Sequence, residues 1–319
     1  MKIAFIVDPL DDFKTYKDST YAMMREAAKR GHELYALQQE DLLWQQGGVS
    51  GHARRLHLTG DKGTWYRVEA PLATPLREFG AVLMRKDPPF DMEYLYSTYL
   101  LELAQAQGAR VFNDPRAIRD CNEKLTIARF PQFTAPTLVT RNAALIHEFL
   151  ATQGDIILKP LDGMGGTSVF RVHSQDPNLN VIVETVTHYG RRTVMAQRFI
   201  PEIADGDKRV LLIGGLAVPY ALARIPKPGE TRGNLAAGGT GIARELTPRD
   251  REIATALAPQ LDALGLLLVG LDVIGNYLTE VNVTSPTCFQ EITDQTGFNV
   301  AGMMLDALER AVERRNTVK

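Results

Sequence analysis

"ILKPLDGMGGTS", residues 157–168, decides the fold: an apolar run interrupted by one lysine, Lys159, releases into three glycines within four residues. Two common phosphate-binding patterns can be laid against it, G-x-x-x-x-G-K-[ST] and G-x-G-x-x-G between a strand and a helix. Neither matches. Lys159 precedes the glycines, and the following "SVFRVHS" (168–174) is β-branched and aromatic, which predicts a second strand instead of a helix. The stretch therefore predicts a hairpin with a glycine tip. Such a tip can fold free N–H groups over an anion because no side chain blocks the approach, although an ordinary hairpin turn has the same composition. Lys159 points toward an anion, since a lysine inside a largely buried strand is expected to meet one.

The rest of the chain alternates around this hairpin. Before it, "KIAFIVD", "STYAMMREAAKRG", "HELYAL", "AVLMRKDPP", "MEYLYSTYLLELAQAQG" and "ARVFN" read as strand, helix, strand, strand, helix, strand, the βαβ logic of a parallel sheet. Ser19 reads as a helix N-cap, and Gly31 and Gly108 as stops. The tract 44–68 matches no clear pattern. After residue 122 the reading becomes a small α+β lobe, with "APTLVT", a helix over 143–153, the hairpin, a helix near 178–189 and the strand "TVMAQRFI" (193–200). From 207, "KRVLLIGG" and "AVPYALARI" follow each other without a helix and predict antiparallel strands. "PKPGETRGNLAAGGTG" (226–241) is the most flexible composition in the chain and reads as a mobile lid or a surface loop. A helix at 248–264, the strand pair "LLLVGLDVIG" and "YLTEVNV", and a helix near 298–314 close the chain.

"GLDVIGNYLTEVNVTSP" (270–286) holds the chemistry-bearing polar residues. A three-residue loop Gly275-Asn276-Tyr277 sets Asp272 opposite Glu280 with Asn282 two residues further on the same face, whereas a two-residue loop would put the two carboxylates on opposite faces. In the first register two carboxylates and an amide offer hard oxygen ligands in the small number Mg²⁺ takes when phosphates complete its shell. Lys124, Lys159, Arg209, Arg224 and Arg232 each lie near a strand end or a glycine-rich loop, and the lid could carry Arg232 to charge developing on a phosphate.

The bulk numbers exclude several classes. With 36 basic against 38 acidic residues and a formal charge of −2, no surface is devoted to nucleic acid or to an anionic membrane. The two cysteines, Cys121 and Cys288, are far apart and fit a reducing, cytoplasmic compartment. No apolar run reaches the length of a membrane span, and no signal-peptide pattern opens the chain. There is no G-x-S-x-G or H-E-x-x-H motif and the six histidines have no tight spacing, so zinc and serine chemistry are not expected.

Taken together, the lysines, the glycine hairpin and the Asp…Glu-x-Asn strands resemble the ATP-grasp superfamily. "MRKDPPFD" (84–91), "RDCNEKL" (119–125), "ILKPLDGMGG" (157–166), "DGDKRVL" (205–211), "ARIPKPGETRGNLAAGG" (223–239) and "LTEVNVTSPT" (278–287) are similar, more closely, to the bacterial glutathione synthetase family. The resemblance implies an α/β ATP-grasp fold, with an N-terminal parallel-sheet domain (1–122) and two α+β lobes (123–200 and 201–319) enclosing ATP. It implies ATP-dependent joining of γ-glutamylcysteine and glycine through an acyl phosphate, with release of ADP and phosphate. On the same ground Lys124, Lys159, Gly163, Gly165 and Gly166 are expected at the ATP phosphates, and Gln197, Phe199 and Ile200 at the adenine. Asp272, Glu280 and Asn282 are expected to hold Mg²⁺ or Mn²⁺, and Arg209, Arg224 and Arg232 to face the transferring phosphoryl group. Asp18, Ser19, Arg85, Asn234, Ser285 and Thr287 are the expected substrate contacts, and a homotetramer the expected assembly. Another ATP-grasp ligase, one joining D-alanine or adding amino acids, and a catalytically silent ATP-binding module are the alternatives. "MRKDPP" and "GETRGNLAAGG" favour the first reading.

Overall fold

A computed structural model describes residues 1–317 apart from 62, 231, 234, 236 and 237. Among the described residues the strands form three sheets. The first contains β1 (Lys2–Ile6), β2 (Glu33–Leu37), β3 (Leu42–Gln45), β4 (Gly48–Leu58), β5 (Tyr66–Val68), β6 (Leu72–Pro75), β7 (Ala81–Met84) and β8 (Val111–Phe112). β1 runs parallel to β2 and β7, and β7 parallel to β8, with α1 (Ser19–Lys29) and α2 (Met92–Ala106) as crossovers and the short α3 (Pro115–Asp120) after β8. This is the expected βαβ core. The cap of α1 is Asp18, whose side chain accepts from the Tyr21 amide at 2.7 Å; Ser19, expected as the cap, is the first helical residue.

The tract that matched no pattern is a set of antiparallel strands, which makes this sheet mixed. β4 pairs with β2, β3, β5 and β6, all antiparallel. Its residues Val49, Gly51 and Ala53 point inward between less buried neighbours, the period of a half-buried strand, and Gln46 and Gly47 turn the chain at φ 50° and 83°.

The middle of the chain folds as β9 (Thr137–Thr140), α4 (Ala143–Gln153), β10 (Asp155–Pro160), β11 (Phe170–His173), α5 (Leu179–Val186) and β12 (Val194–Arg198). The sheet order is β11-β10-β12-β9, all antiparallel, so "ILKPLDGMGGTS" is a hairpin arm and tip. Alternation along β10 decides the two faces. Ile156 and Leu158 enter a core with Ile146, Leu150, Val172, Val183 and Val194, which leaves Ile157 and Lys159 on the other face.

The last sheet is antiparallel in the order β15-β14-β13-β16-β17, formed by β13 (Asp207–Ile213), β14 (Leu216–Ile225), β15 (Thr240–Glu245), β16 (Leu268–Ile274) and β17 (Tyr277–Asn282). It is flanked by α6 (Pro248–Ala263), α7 (Phe289–Thr296) and α8 (Val300–Thr317). Thr247 and Asp250 start α6 with a reciprocal capping box. α7, which the sequence reading did not anticipate, begins after Cys288 in the left-handed region at φ 85°.

The β16–β17 turn corrects one expectation and rescues its consequence. Ile274 pairs with Tyr277, so the turn has two residues, Gly275 and Asn276, instead of three. A bulge then leaves Thr279 unpaired and restores the register, with Asp272 opposite Glu280 and Gly270 opposite Asn282.

Packing does not follow chain order. One core joins Ile3, Phe5, Met23 and Met24 of the first domain to Leu211, Ile213, Phe289, Met304 and Leu308 of the last. Ile127, Phe130 and Phe133 pack with Val269, Leu271 and Val281, so residues 125–133 lie on the last sheet as a strap. We propose the division 1–122, 123–200 and 201–319 for the chain, with this strap tying the middle lobe's start to the third part.

Candidate active site

A cavity of about 480 Å³ is lined by residues of all three parts of the chain. β10 contributes Ile157 and Lys159, the hairpin tip contributes 163–166, β13 contributes Asp207 and Arg209, β14 contributes Arg224, and β17 contributes Glu280 and Asn282. Each reaches the wall by strand alternation: Asp207 and Arg209 are two apart on one strand, as are Ile157 and Lys159, and Glu280 and Asn282.

The lysines meet at one carboxylate. Lys124 Nζ lies 3.4 Å and Lys159 Nζ 3.7 Å from Glu280 Oε1. Lys124 also donates to the Gly163 carbonyl at 2.6 Å, and Lys159 to the carbonyl of the bulged Thr279 at 3.4 Å. Both lysines are buried, and desolvation lowers the pKa of Lys159 despite the nearby Glu280. The tip needs its glycines. Gly165 and Gly166 have φ of +62° and +80°, and a Cβ on Gly163 would stand 2.9 Å from the Pro160 ring.

A charged row crosses the last sheet. Arg209 pairs with Asp272, and Asp272 with Glu280, while Asp207 pairs with Arg224 two rungs away on the same face. Arg209 grips Asp272 with two nitrogens, its Nη2 at 3.0 Å from Oδ2, and Arg224 Nη2 reaches the same Oδ2 at 2.8 Å. Arg224 also donates to Asp207 Oδ2. Although burial alone would raise it, the two guanidiniums hold the Asp272 carboxyl well below the usual range. Asp207 goes the other way: burial pushes it up to about 6, and its Oδ1 is buried with no hydrogen-bond partner.

The expected site residues divide accordingly. Lys124, Lys159, Gly163, Gly165, Gly166, Gln197, Phe199, Ile200, Arg209, Arg224, Arg232, Asp18, Ser285, Thr287, Glu280 and Asn282 line the cavity. Asp272, 2% exposed, stands behind the wall with both oxygens on arginines. Ser19 and Arg85 are not among the lining residues. Ser19 Oγ accepts the Phe289 amide at 3.1 Å, and Arg85 donates to Thr20 Oγ1 at 3.1 Å and the Pro286 carbonyl at 2.9 Å. Asn234 lies outside the described residues. Arg232 is partly exposed and pairs with Glu230. Around Gln197, Phe199 and Ile200 the wall is apolar, with Ile157, Ile203 and Ile274; the Phe199 ring lies 3.6 Å beneath the Arg171 guanidinium.

The sequence reading also missed lining residues. Asp207 shares a strand face with Arg209, a two-residue spacing that would have flagged it. Glu123 precedes Lys124 and is bonded by Thr284 Oγ1 at 2.8 Å. Lys14 and Glu291 belong to segments to which no role was given, and Lys17 adjoins the expected substrate contacts Asp18 and Ser19.

For a divalent cation the donor set fits in part. Asn282 spends its Nδ2 on the Gly270 carbonyl at 3.1 Å, leaving its Oδ1 beside Glu280 as a hard oxygen. Among the described residues no three His, Cys, Asp or Glu side chains converge for a metal, so the protein offers few ligands and phosphate oxygens would supply the rest.

Residues 1–119 match the family described as prokaryotic glutathione synthetase, N-terminal domain, and residues 123–297 match prokaryotic glutathione synthetase, ATP-grasp domain. The chain is 65% identical to the glutathione synthetase of Nitrosomonas europaea over 99% of its own length and 100% of that protein's. It is 58% identical to that of Neisseria meningitidis serogroup A, covering 97% and 98%. Among solved structures a D-cycloserine synthetase superposes with a TM-score of 0.69 at 16% identity, covering 98% and 100%. The D-alanyl-alanine synthetase A of Vibrio cholerae does so at 0.61 and 12%, covering 98% and 99%, and both likenesses show the ATP-grasp fold alone. By these matches the chain belongs to the prokaryotic glutathione synthetase family.

Proposed function

We infer that this protein joins γ-glutamylcysteine to glycine at the expense of ATP, forming glutathione, ADP and phosphate. The observation that carries the reading is the convergence of Lys124 and Lys159, from two separate segments, beneath a glycine tip and against Glu280. A carboxylate is a poor electrophile, so the dipeptide carboxylate attacks the γ-phosphorus of ATP and becomes an acyl phosphate; the glycine amine then displaces phosphate. This sequence needs no protein nucleophile. It needs positive charge around the transferring group, which Lys124, Lys159, Arg209 and Arg224 are positioned to supply, and exclusion of water.

Glu280 and Asn282 would hold a divalent cation, Mg²⁺ or Mn²⁺, which supplies charge neutralisation at the phosphates. Asp272 acts in this reading through Arg209 and Arg224, whose guanidiniums it fixes. The apolar wall by Gln197, Phe199 and Ile200 suits an adenine, and the expected lid over 226–241, of which 231, 234, 236 and 237 lie outside the described residues, would bring Arg232 to the phosphoryl group.

A cytoplasmic setting belongs to the same proposal, supported by the two free cysteines. No helix among the described residues is long and apolar enough to cross a membrane. A homotetramer is supported by an exposed stripe on α2, Met92, Tyr96, Tyr99 and Leu103, that a second copy would cover. The deciding assay is phosphate release from ATP with γ-glutamylcysteine, with and without glycine. Turnover with D-alanine pairs in its place would overturn the substrate assignment.

A further inference from the structure

The tract that matched no pattern reaches the active site from behind. Between β1 and α1 the chain runs over residues 7–18, of which Asp12 and Lys14 are exposed and yet line the cavity, so they stand at its rim. From residue 8 onward this rim loop pairs with no strand, and its own amides bond locally: Asp12 to the Pro9 carbonyl, Phe13 to Leu10, Lys17 and Asp18 to Lys14. Side chains must fasten it to the body. Gln290 Nε2 holds its far end, at the Thr15 carbonyl (2.7 Å), and aromatic rings hold the middle. Phe13 stacks on Trp65 with centroids 5.5 Å apart and planes at 18°, Tyr21 meets the same indole edge-on at 5.1 Å, and Tyr66 Oη donates to Asp11 Oδ1 at 2.6 Å. Trp65 and Tyr66 arrive from the turn that joins β4 to β5, where the Thr59 amide donates to the Trp65 carbonyl at 3.1 Å. Trp65 is 8% exposed and part of the core shared by the first and last parts, and Leu10 and Phe13 pack against that core from the loop.

Phe13 is half-buried between two exposed charged neighbours, so one ring in its seat aims two charges. A stacked aromatic pair is rigid and directional, and a loop that carries binding groups works best when such a scaffold places it. The phosphate-side residues come from other strands and do not depend on this seat. Of the two acids that the proposed reaction joins, the dipeptide is the longer, and it has the reach from the phosphates to the rim. We propose that Trp65 and Tyr66 are positioning residues for the peptide substrate: they seat Phe13 and Asp11 on the outer side of the rim loop, so that Asp12 and Lys14 already stand at the cavity edge when the dipeptide enters. This rests on the dipeptide being the substrate.

The test measures kcat and the KM for γ-glutamylcysteine and for ATP in wild type, Trp65→Leu, Trp65→Phe, Phe13→Ala and the Trp65→Leu, Phe13→Ala double variant. Trp65→Leu keeps an apolar side chain in the core but removes the stacking face, and should raise the dipeptide KM roughly 10-fold, with kcat and the KM for ATP within about threefold of wild type. Trp65→Phe keeps an aromatic face and should hold the dipeptide KM within about threefold. Phe13→Ala removes the same stack from a half-buried position and should match Trp65→Leu, and the double variant should be no worse than either, since one contact cannot be lost twice. A wild-type dipeptide KM in either single variant overturns the proposal. An equal rise in the KM for ATP, the mark of general loosening, overturns it too, as does a double variant whose KM rises by the product of the two factors. Should Trp65→Leu not fold, Phe13→Ala decides alone. Wild type that does not turn over γ-glutamylcysteine, while cleaving ATP with another carboxylate, overturns the parent reading and this inference with it.

Discussion

Asp272 and Glu280 face each other across β16 and β17, yet they meet different partners: Asp272 is held by Arg209 and Arg224, and Glu280 by Lys124 and Lys159. One rung of a sheet therefore fixes two arginines on one side and two lysines on the other.

Glu280→Gln should lower metal-dependent kcat by at least about 100-fold, the scale of removing one preorganised charge contact at a transferring group. Metal-free ATP binding should not weaken, because the two lysines lose a competing anion. Titrating activity against Mg²⁺ and binding ATP in chelator would check both halves; wild-type metal dependence in the variant would remove Glu280 from the metal.

Lys159→Ala should weaken ATP binding by about 1.5 to 3 kcal/mol, the worth of a hydrogen bond to a charged group. Calorimetry reads this directly. Unchanged affinity would leave Lys159 as a structural lysine paired only with Glu280 and the Thr279 carbonyl.

Replacing 232–239 with a short Gly-Ser link should spare ATP binding and uncouple ATP cleavage from peptide formation, since an acyl phosphate open to water hydrolyses. Gly233 serves a close contact: a Cβ there would stand 2.3 Å from the Arg224 carbonyl. The ratio of phosphate released to tripeptide formed should exceed one. A ratio of one with full activity would make the segment a surface loop.

Asp207 should leave a signature in stability against pH. Its folded-state pKa, about 6, stands above the ordinary 3.8, so the fold holds this proton more tightly than the unfolded chain does. That contribution is complete below about pH 4 and gone above about pH 6, and is worth at most about 3 kcal/mol. The difference in unfolding free energy between wild type and Asp207→Asn should therefore shift against wild type as pH rises through 4 to 6. A difference that is flat over that window would refute the raised pKa.

Much of this was legible because it follows period and punctuation. The parallel strands β1, β2 and β7 announce themselves through the intervening helices, and the β10 hairpin through Lys159 and the glycines. The facing of Asp272 and Glu280 was reached through a wrong turn length, and the bulge at Thr279 that makes it true has no local sequence mark. Ser19 resembles a cap, but the carboxylate one residue earlier takes that place, freeing the Ser19 hydroxyl for α7. Nothing in "GLDVIG" tells that Asp272 will be enclosed by two arginines, because one comes from β13 and the other from β14. α7 is short and begins at a left-handed Cys288, so no cap or period marks it.

The shared core of the first and last parts bears on how the chain is made. Ile3, Phe5 and Met23 leave the ribosome early, while Met304 and Leu308, which cover them, leave it at the end. The first domain therefore carries an uncovered apolar face through the synthesis of the whole middle lobe, whose own core between Ile146 and Ala196 needs nothing from either terminus. During translation the middle of this protein can finish folding before its beginning does.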